Sequence, residues 1–151
     1  MRRTMRGALV VSAAATALGG LAAATASAKD ETYNLSGKLT SGVEVPKPSA
    51  PAGAGGTFTG TLTGKKLSFT LTFKGLSGAA IAGHIHMGKK GAAGPVALPF
   101  CPPKCKSPIK GTFTVKGSLR DAIERGGAYV NLHTQKNPGG EIRAQIVSKE
   151  D

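Results

Sequence analysis

Three histidines, His84, His86 and His133, are the side chains best placed to do chemistry. His84 and His86 flank Ile85, and Met87 follows. On an extended strand this spacing puts both imidazoles on one face and Ile85 and Met87 on the other. The stretch around His133 alternates in the same way. Tyr129, Asn131 and His133 share one parity; Val130 and Leu132 share the other. Neutral imidazoles at such positions suit a single copper or zinc ion. A carboxylate such as Glu141 could orient one of them through its second ring nitrogen. A metal-free arrangement competes with this one, in which the histidines, Asn131 and Arg143 form a structural hydrogen-bond network. No cofactor is fixed by the sequence; copper and zinc are the metals these residue types allow.

Cys101-Pro-Pro-Lys-Cys105 holds the only two cysteines. If the chain is exported, an even count points to a disulfide between Cys101 and Cys105. The alternative is a copper(I) or redox dithiol, because soft thiolates select copper.

These side chains need strands to position them. Residues 67–73, Leu-Ser-Phe-Thr-Leu-Thr-Phe, alternate apolar and polar without a break, the pattern of a half-buried strand. Residues 57–62 repeat it more weakly, and Gly64-Lys65-Lys66 reads as the turn between the two. Tyr33, Leu35 and Leu39 suggest an earlier strand. Further strands are expected at 82–87, 111–115, 128–134 and 141–147. That makes about seven short antiparallel strands, as in a sandwich or barrel. Residues 43–56 and 88–108 read as long loops. One short helix is expected near residues 119–125, with Ser118 and Asp121 as a capping box. Leu119 and Ile123 would share its buried face, and Gly126-Gly127 would end it.

The last two strands predict a register. Ile142, Ala144 and Ile146 are apolar, while Glu141, Arg143 and Gln145 are polar. A hairpin over Asn137-Pro138-Gly139-Gly140 must set apolar opposite apolar. Leu132 then faces Ile142, Val130 faces Ala144, Asn131 faces Arg143 and His133 faces Glu141. With strand 82–87 as their neighbour, one polar face carries His84, His86, Tyr129, His133, Glu141 and Arg143.

The chain has 151 residues, with 20 Lys and Arg against 8 Asp and Glu, for a net charge of +12. One domain is expected at this length. Residues 1–28 read as a cleaved signal peptide. Arg2, Arg3 and Arg6 precede an uncharged, Ala-rich run that closes on Ala26-Ser27-Ala28. The expected product is secreted, extracellular or periplasmic, with no membrane span once the signal is cleaved. Its domain runs from 35 to 147, between a short lead at 29–34 and a tail at 148–151. Signal cleavage leaves 17 basic against 8 acidic residues, a net charge of +9. Fourteen of those basic residues are lysines, and no basic-aromatic platform accompanies them. Nucleic-acid binding is therefore not expected. An anionic envelope polymer, or another protein, is the kind of extracellular partner such a surface would meet.

Several segments together resemble a known family. Gly83-His-Ile-His-Met-Gly88, Gly94-Pro95-Val96, Tyr129-Val-Asn-Leu-His-Thr134 and Pro138-Gly-Gly-Glu-Ile-Arg143 occur in the order of a chordin-type (CHRD) domain. Gly42-Val-Glu44-Val-Pro46 is similar to that domain's early Glu-Val-Pro segment. Lys47, Ala144 and the cysteine-containing insert depart from the usual pattern. The resemblance covers about residues 35–146. It implies a secreted immunoglobulin-like Greek-key β domain, acting as a binding or structural module without established catalysis. A His-x-His strand on a sandwich is also similar to copper-zinc superoxide dismutase, but three histidines cannot build that dinuclear site. No nucleophile elbow, phosphate loop or His-Glu-x-x-His helix is present, so an enzyme is not expected.

Overall fold

Alternation in the Thr- and Phe-rich segments produces the central hairpin. Strands β2 (Gly55–Thr63) and β3 (Lys66–Lys74) pair antiparallel, with Thr63 opposite Lys66. Gly64, at φ +54°, lies in the two-residue turn, where a positive φ fits the twist of a hairpin. Phe58, Leu62, Leu67 and Leu71 point inward and are fully buried. The described residues of this computed structural model are 30–101 and 103–151. The expected signal segment, residues 1–28, lies outside them.

The other strands are β1 (Thr32–Thr40), β4 (Ala80–Met87), β5 (Val96–Cys101), β6 (Ile109–Thr114), β7 (Ala128–Thr134), β8 (Ile142–Gln145) and β9 (Val147–Glu150). All the pairings between them are antiparallel, in the order β5-β4-β7-β8-β1-β2-β3-β6, and β9 also pairs with β1. The sheet curls until its flanks meet. Phe69 of β3 and Phe100 of β5 pack edge to face, with centroids 5.1 Å apart. The result is an all-β, nearly closed barrel-like sheet. Among the described residues nine strands replace the expected seven, and the additions are β5 and β9. β5 falls inside the segment expected to be loop. β9 is split from β8 at Ile146, which is buried and donates its N–H to the Ala128 carbonyl. Residues 32–34 and 148–150, expected as lead and tail, lie in β1 and β9, where Tyr33 pairs with Glu150 and Asn34 with Lys149.

The helix, α1, spans Gly117–Glu124. It packs against β7 and β9 and buries Leu119 and Ile123, the pair expected from their spacing. Gly126, at φ +67°, ends it. The expected capping box does not form. Lys116 is the N-cap, no side chain caps the helix, and Ser118 lies inside the first turn. Arg120 supports the helix instead. It pairs with Glu124 at 2.8 Å and donates from Nε to the Gly64 carbonyl at 2.9 Å. Among the described residues no helix is long and apolar enough to cross a membrane.

Candidate functional site

Register builds the site. β4 lies beside β7, with His84 opposite Asn131, His86 opposite Tyr129 and Ala82 opposite His133. β7 lies beside β8, with Leu132 opposite Ile142, Val130 opposite Ala144 and Asn131 opposite Arg143. Directly opposed residues share a face. His84, His86, Tyr129, Asn131, His133 and Arg143 therefore stand together, on the side of the sheet away from Ile85, Val130, Leu132 and Ile142. This outer face is not open to water. His86, Asn131, His133 and Arg143 are all buried, beneath the loop after β4, the segment around Glu44 and the turn before β8. His84 is half-buried and forms the open side.

Each imidazole has a defined environment. His133 Nδ1 is 2.9 Å from the Pro138 carbonyl, and His86 Nδ1 is 2.8 Å from the Gly94 carbonyl. A carbonyl only accepts, so both Nδ1 atoms carry the hydrogen and each neutral ring offers a lone pair at Nε2. His133 Nε2 is 3.0 Å from His84 Nδ1 and 3.0 Å from Asn131 Oδ1. His86 Nε2 is buried without a hydrogen-bond partner among the described residues. Burial holds both His84 and His133 below the ordinary imidazole range. Neighbouring histidines add to the effect, and at His133 the Pro138 carbonyl partly opposes it. One ring nitrogen from each of His84, His86 and His133 lies within 4.8 Å of the other two, a grouping that could hold a metal ion.

Aromatic and cationic groups wall the cluster. His86 stacks on Tyr129, with centroids 4.7 Å apart and planes 3° from parallel. The Arg143 guanidinium lies 3.4 Å from the centroid of the same ring. Because β7 runs between β4 and β8, Tyr129 is held between His86 and Arg143. Arg143 Nη2 donates to the Lys89 carbonyl at 3.2 Å. The Gly94 N–H donates to the Tyr129 hydroxyl at 3.1 Å, which ties the loop that holds His86 to the same stack.

Glu141 does not join this face. Its carboxylate accepts from the Ser77 N–H at 2.6 Å, the Ser77 hydroxyl at 2.5 Å, the Thr134 hydroxyl at 2.5 Å and Asn137 Nδ2 at 2.8 Å. Thr134 and His133 project to opposite sides of β7, so Glu141 cannot orient a histidine. Burial pushes its carboxyl up, and the hydrogen bonds outweigh that and hold it below the ordinary range. The expected pairing with His133 fails because Glu141 precedes β8. It follows Gly140, at φ +123°, where strand alternation has not begun.

The carboxylate that does reach the site is Glu44, 4% exposed. Sequence reading noted it only within the Glu-Val-Pro resemblance. Asn131 Nδ2 donates to its Oε2 at 3.5 Å, and the Val45 N–H donates to its Oε1 at 3.1 Å. Burial raises its pKa, against the pull of Val45, Arg143 and Asn131. The cysteines form the expected disulfide, with Cα atoms 5.6 Å apart. Cys101 stands opposite Gly83, and Cys105 bridges to Ala80. The pair thus staples β5 and the segment after it to β4, just before His84. With both thiols joined, the copper(I) dithiol alternative has no thiolate.

The comparison with curated proteins and the comparison with solved structures return no match. The family model described as CHRD domain matches residues 35–146. That span takes in the His-x-His strand, the Asn131–His133 strand and Glu44, and the chain belongs to the CHRD domain family.

Proposed function

We propose that this CHRD domain is an exported binding module that holds one transition-metal ion through His84, His86 and His133. One observation carries the reading: backbone carbonyls fix two imidazoles as Nδ1–H tautomers, which leaves their Nε2 lone pairs for a ligand. Metal-binding histidines are oriented in this way, and a neutral ring is what a metal requires. A purely structural network accounts less well for Asn131 Oδ1 and His133 Nε2, two acceptors 3.0 Å apart. A shared cation relieves that contact.

The spacing favours copper(II) over zinc. Donors 3.0 Å apart, each at about 2.1 Å from one ion, subtend roughly 90°. That angle suits a tetragonal copper(II) site better than a tetrahedral zinc site. The widest separation, up to 4.8 Å, exceeds the ~4.2 Å that one ion can span between two nitrogens. Half-buried His84 is the least enclosed of the three rings. Export follows from the basic start, the apolar run and Ala26-Ser27-Ala28. The role is binding rather than catalysis.

Calorimetric titration of metal-free protein with copper(II) and zinc(II) tests the proposal. One equivalent of copper(II) should bind, with nitrogen couplings in its paramagnetic resonance spectrum. His86→Ala and His133→Ala should each abolish stoichiometric binding while leaving a folded β protein by circular dichroism. Wild-type protein that binds neither metal stoichiometrically would overturn the proposal.

A further inference from the structure

The outward face of the opposite half of the sheet, across β1, β2, β3 and β6, has a composition that the fold alone does not require. Its residues form rows across the strands. Asn34, Thr61, Ser68 and Thr112 are one such row in register. Four rows of this kind contain only Thr, Ser, Asn and Lys. Strand geometry spaces them about 4.7–4.9 Å apart across the strands and about 6.6–6.8 Å along them. Hydroxyls on neighbouring strands are already paired: Thr32 with Thr63 at 3.0 Å and Ser68 with Thr112 at 3.1 Å. A shallow groove of about 530 Å³ runs on this face between Thr59, Thr61, Ser68, Thr70, Lys110 and Thr112.

Charge on this face has one sign. Lys38, Lys66 and Lys110 are exposed and stand in three different rows. Lys149 of β9 flanks Asn34. No acidic residue belongs to the rows. The nearest carboxylates sit at the rim, where Asp151 accepts from Asn34 at 3.2 Å and Asp30 packs against the Gly64 turn. No aromatic side chain stands on the face either, so a neutral glycan has no ring to stack on.

We infer that this face binds a linear acidic polysaccharide. Threonine and serine hydroxyls both donate and accept, as sugar hydroxyls do, and the lysines meet the carboxylates. A regular array against a repeating chain sums many weak contacts. This inference uses different residues from the metal centre and stands without it.

Alginate, a polyuronate, is the acidic probe and dextran the neutral one, with affinity measured in chelator and at low salt. Wild-type protein should bind alginate, lose it as salt screens the charges, and ignore dextran. The triple variant Lys38→Thr, Lys66→Thr, Lys110→Thr should bind roughly tenfold more weakly, the combined effect of three exposed ion pairs. A control of equal charge, Lys47→Thr, Lys104→Thr, Lys136→Thr, should bind as wild type does. Thr59→Val with Thr70→Val keeps the β-branched shape and should still weaken binding. Melting temperatures establish that each variant is folded. Equal losses in both lysine triples, equal binding of dextran, or wild type that ignores alginate would overturn the inference. Unchanged affinity in the valine variant would overturn the hydroxyl array as the reading surface.

Discussion

The amide oxygen of Asn131 stands 3.0 Å from Nε2 of His133. Glu44 sets that orientation by accepting from the amide nitrogen of Asn131. The oxygen is thereby held toward the point that the histidines surround, where it can serve as a fourth donor. Asn131→Leu keeps similar bulk and removes both polar atoms. Copper(II) affinity should fall about 10–100-fold, read by competition titration. An unchanged affinity would show that the amide has no part in binding.

Gly94 has no room for a side chain. A Cβ there would overlap the Met87 carbonyl oxygen, so Gly94→Ala must displace the loop. The Gly94 carbonyl then leaves His86 Nδ1, and the Gly94 N–H leaves the Tyr129 hydroxyl. The expected outcome is weaker copper(II) binding with far-ultraviolet circular dichroism unchanged. Chemical shifts of the His86 ring nitrogens should report the lost tautomer preference.

Glu141 predicts an acid dependence of stability. Its carboxyl is held below the ordinary value of 4.5 in the folded protein. The unfolded chain therefore takes up a proton first as pH falls, and the contribution of this group is complete above 4.5. It is lost as pH drops through the lower folded value. Glu141→Gln should destabilise the protein at neutral pH by about 1–3 kcal/mol, the cost of unsettling buried hydrogen bonds. The gap between the two proteins should narrow below 4.5. Urea midpoints at several pH values give both curves, and parallel curves would contradict the assignment.

The Cys101–Cys105 bridge closes a small loop, so its entropic contribution is modest. Replacing both cysteines by serine should lower stability by about 2 kcal/mol and leave the far larger β1–β2–β3 hairpin system intact. A thiol assay on unreduced protein should find no free thiol.

Much of the site was legible because it depends on parity. Placing apolar opposite apolar requires Leu132 to face Ile142, and Asn131 then faces Arg143, as observed. The misses have local causes. β5 contains Pro99 and lies at the sheet edge, the position where proline survives in a strand, so its sequence reads as loop. The expected strand ran unbroken over 141–147 because Ile142, Ala144 and Ile146 keep one rhythm, and the residues after it read as tail. The break at Ile146 arises from a tertiary bond to Ala128. Glu141 misled because alternation was extended one residue before the start of β8. Glu44 lies 87 residues from Asn131, and no periodicity connects positions so far apart.

The partners of β1 carry a consequence for the order of assembly. One edge of β1 pairs with β2, its immediate successor, and the other with β8 and β9, made about a hundred residues later. While the chain is being synthesised, the first strand waits with that second edge bare. An unpaired edge of this kind recruits other strands, and distant pairing delays its closure. The outer face of β1 carries Lys38, Ser36 and Asn34 toward solvent, and a charged, polar strand is a poor template for a second nascent chain. The hydrophilic surface that the finished domain displays thus also guards the half-made one.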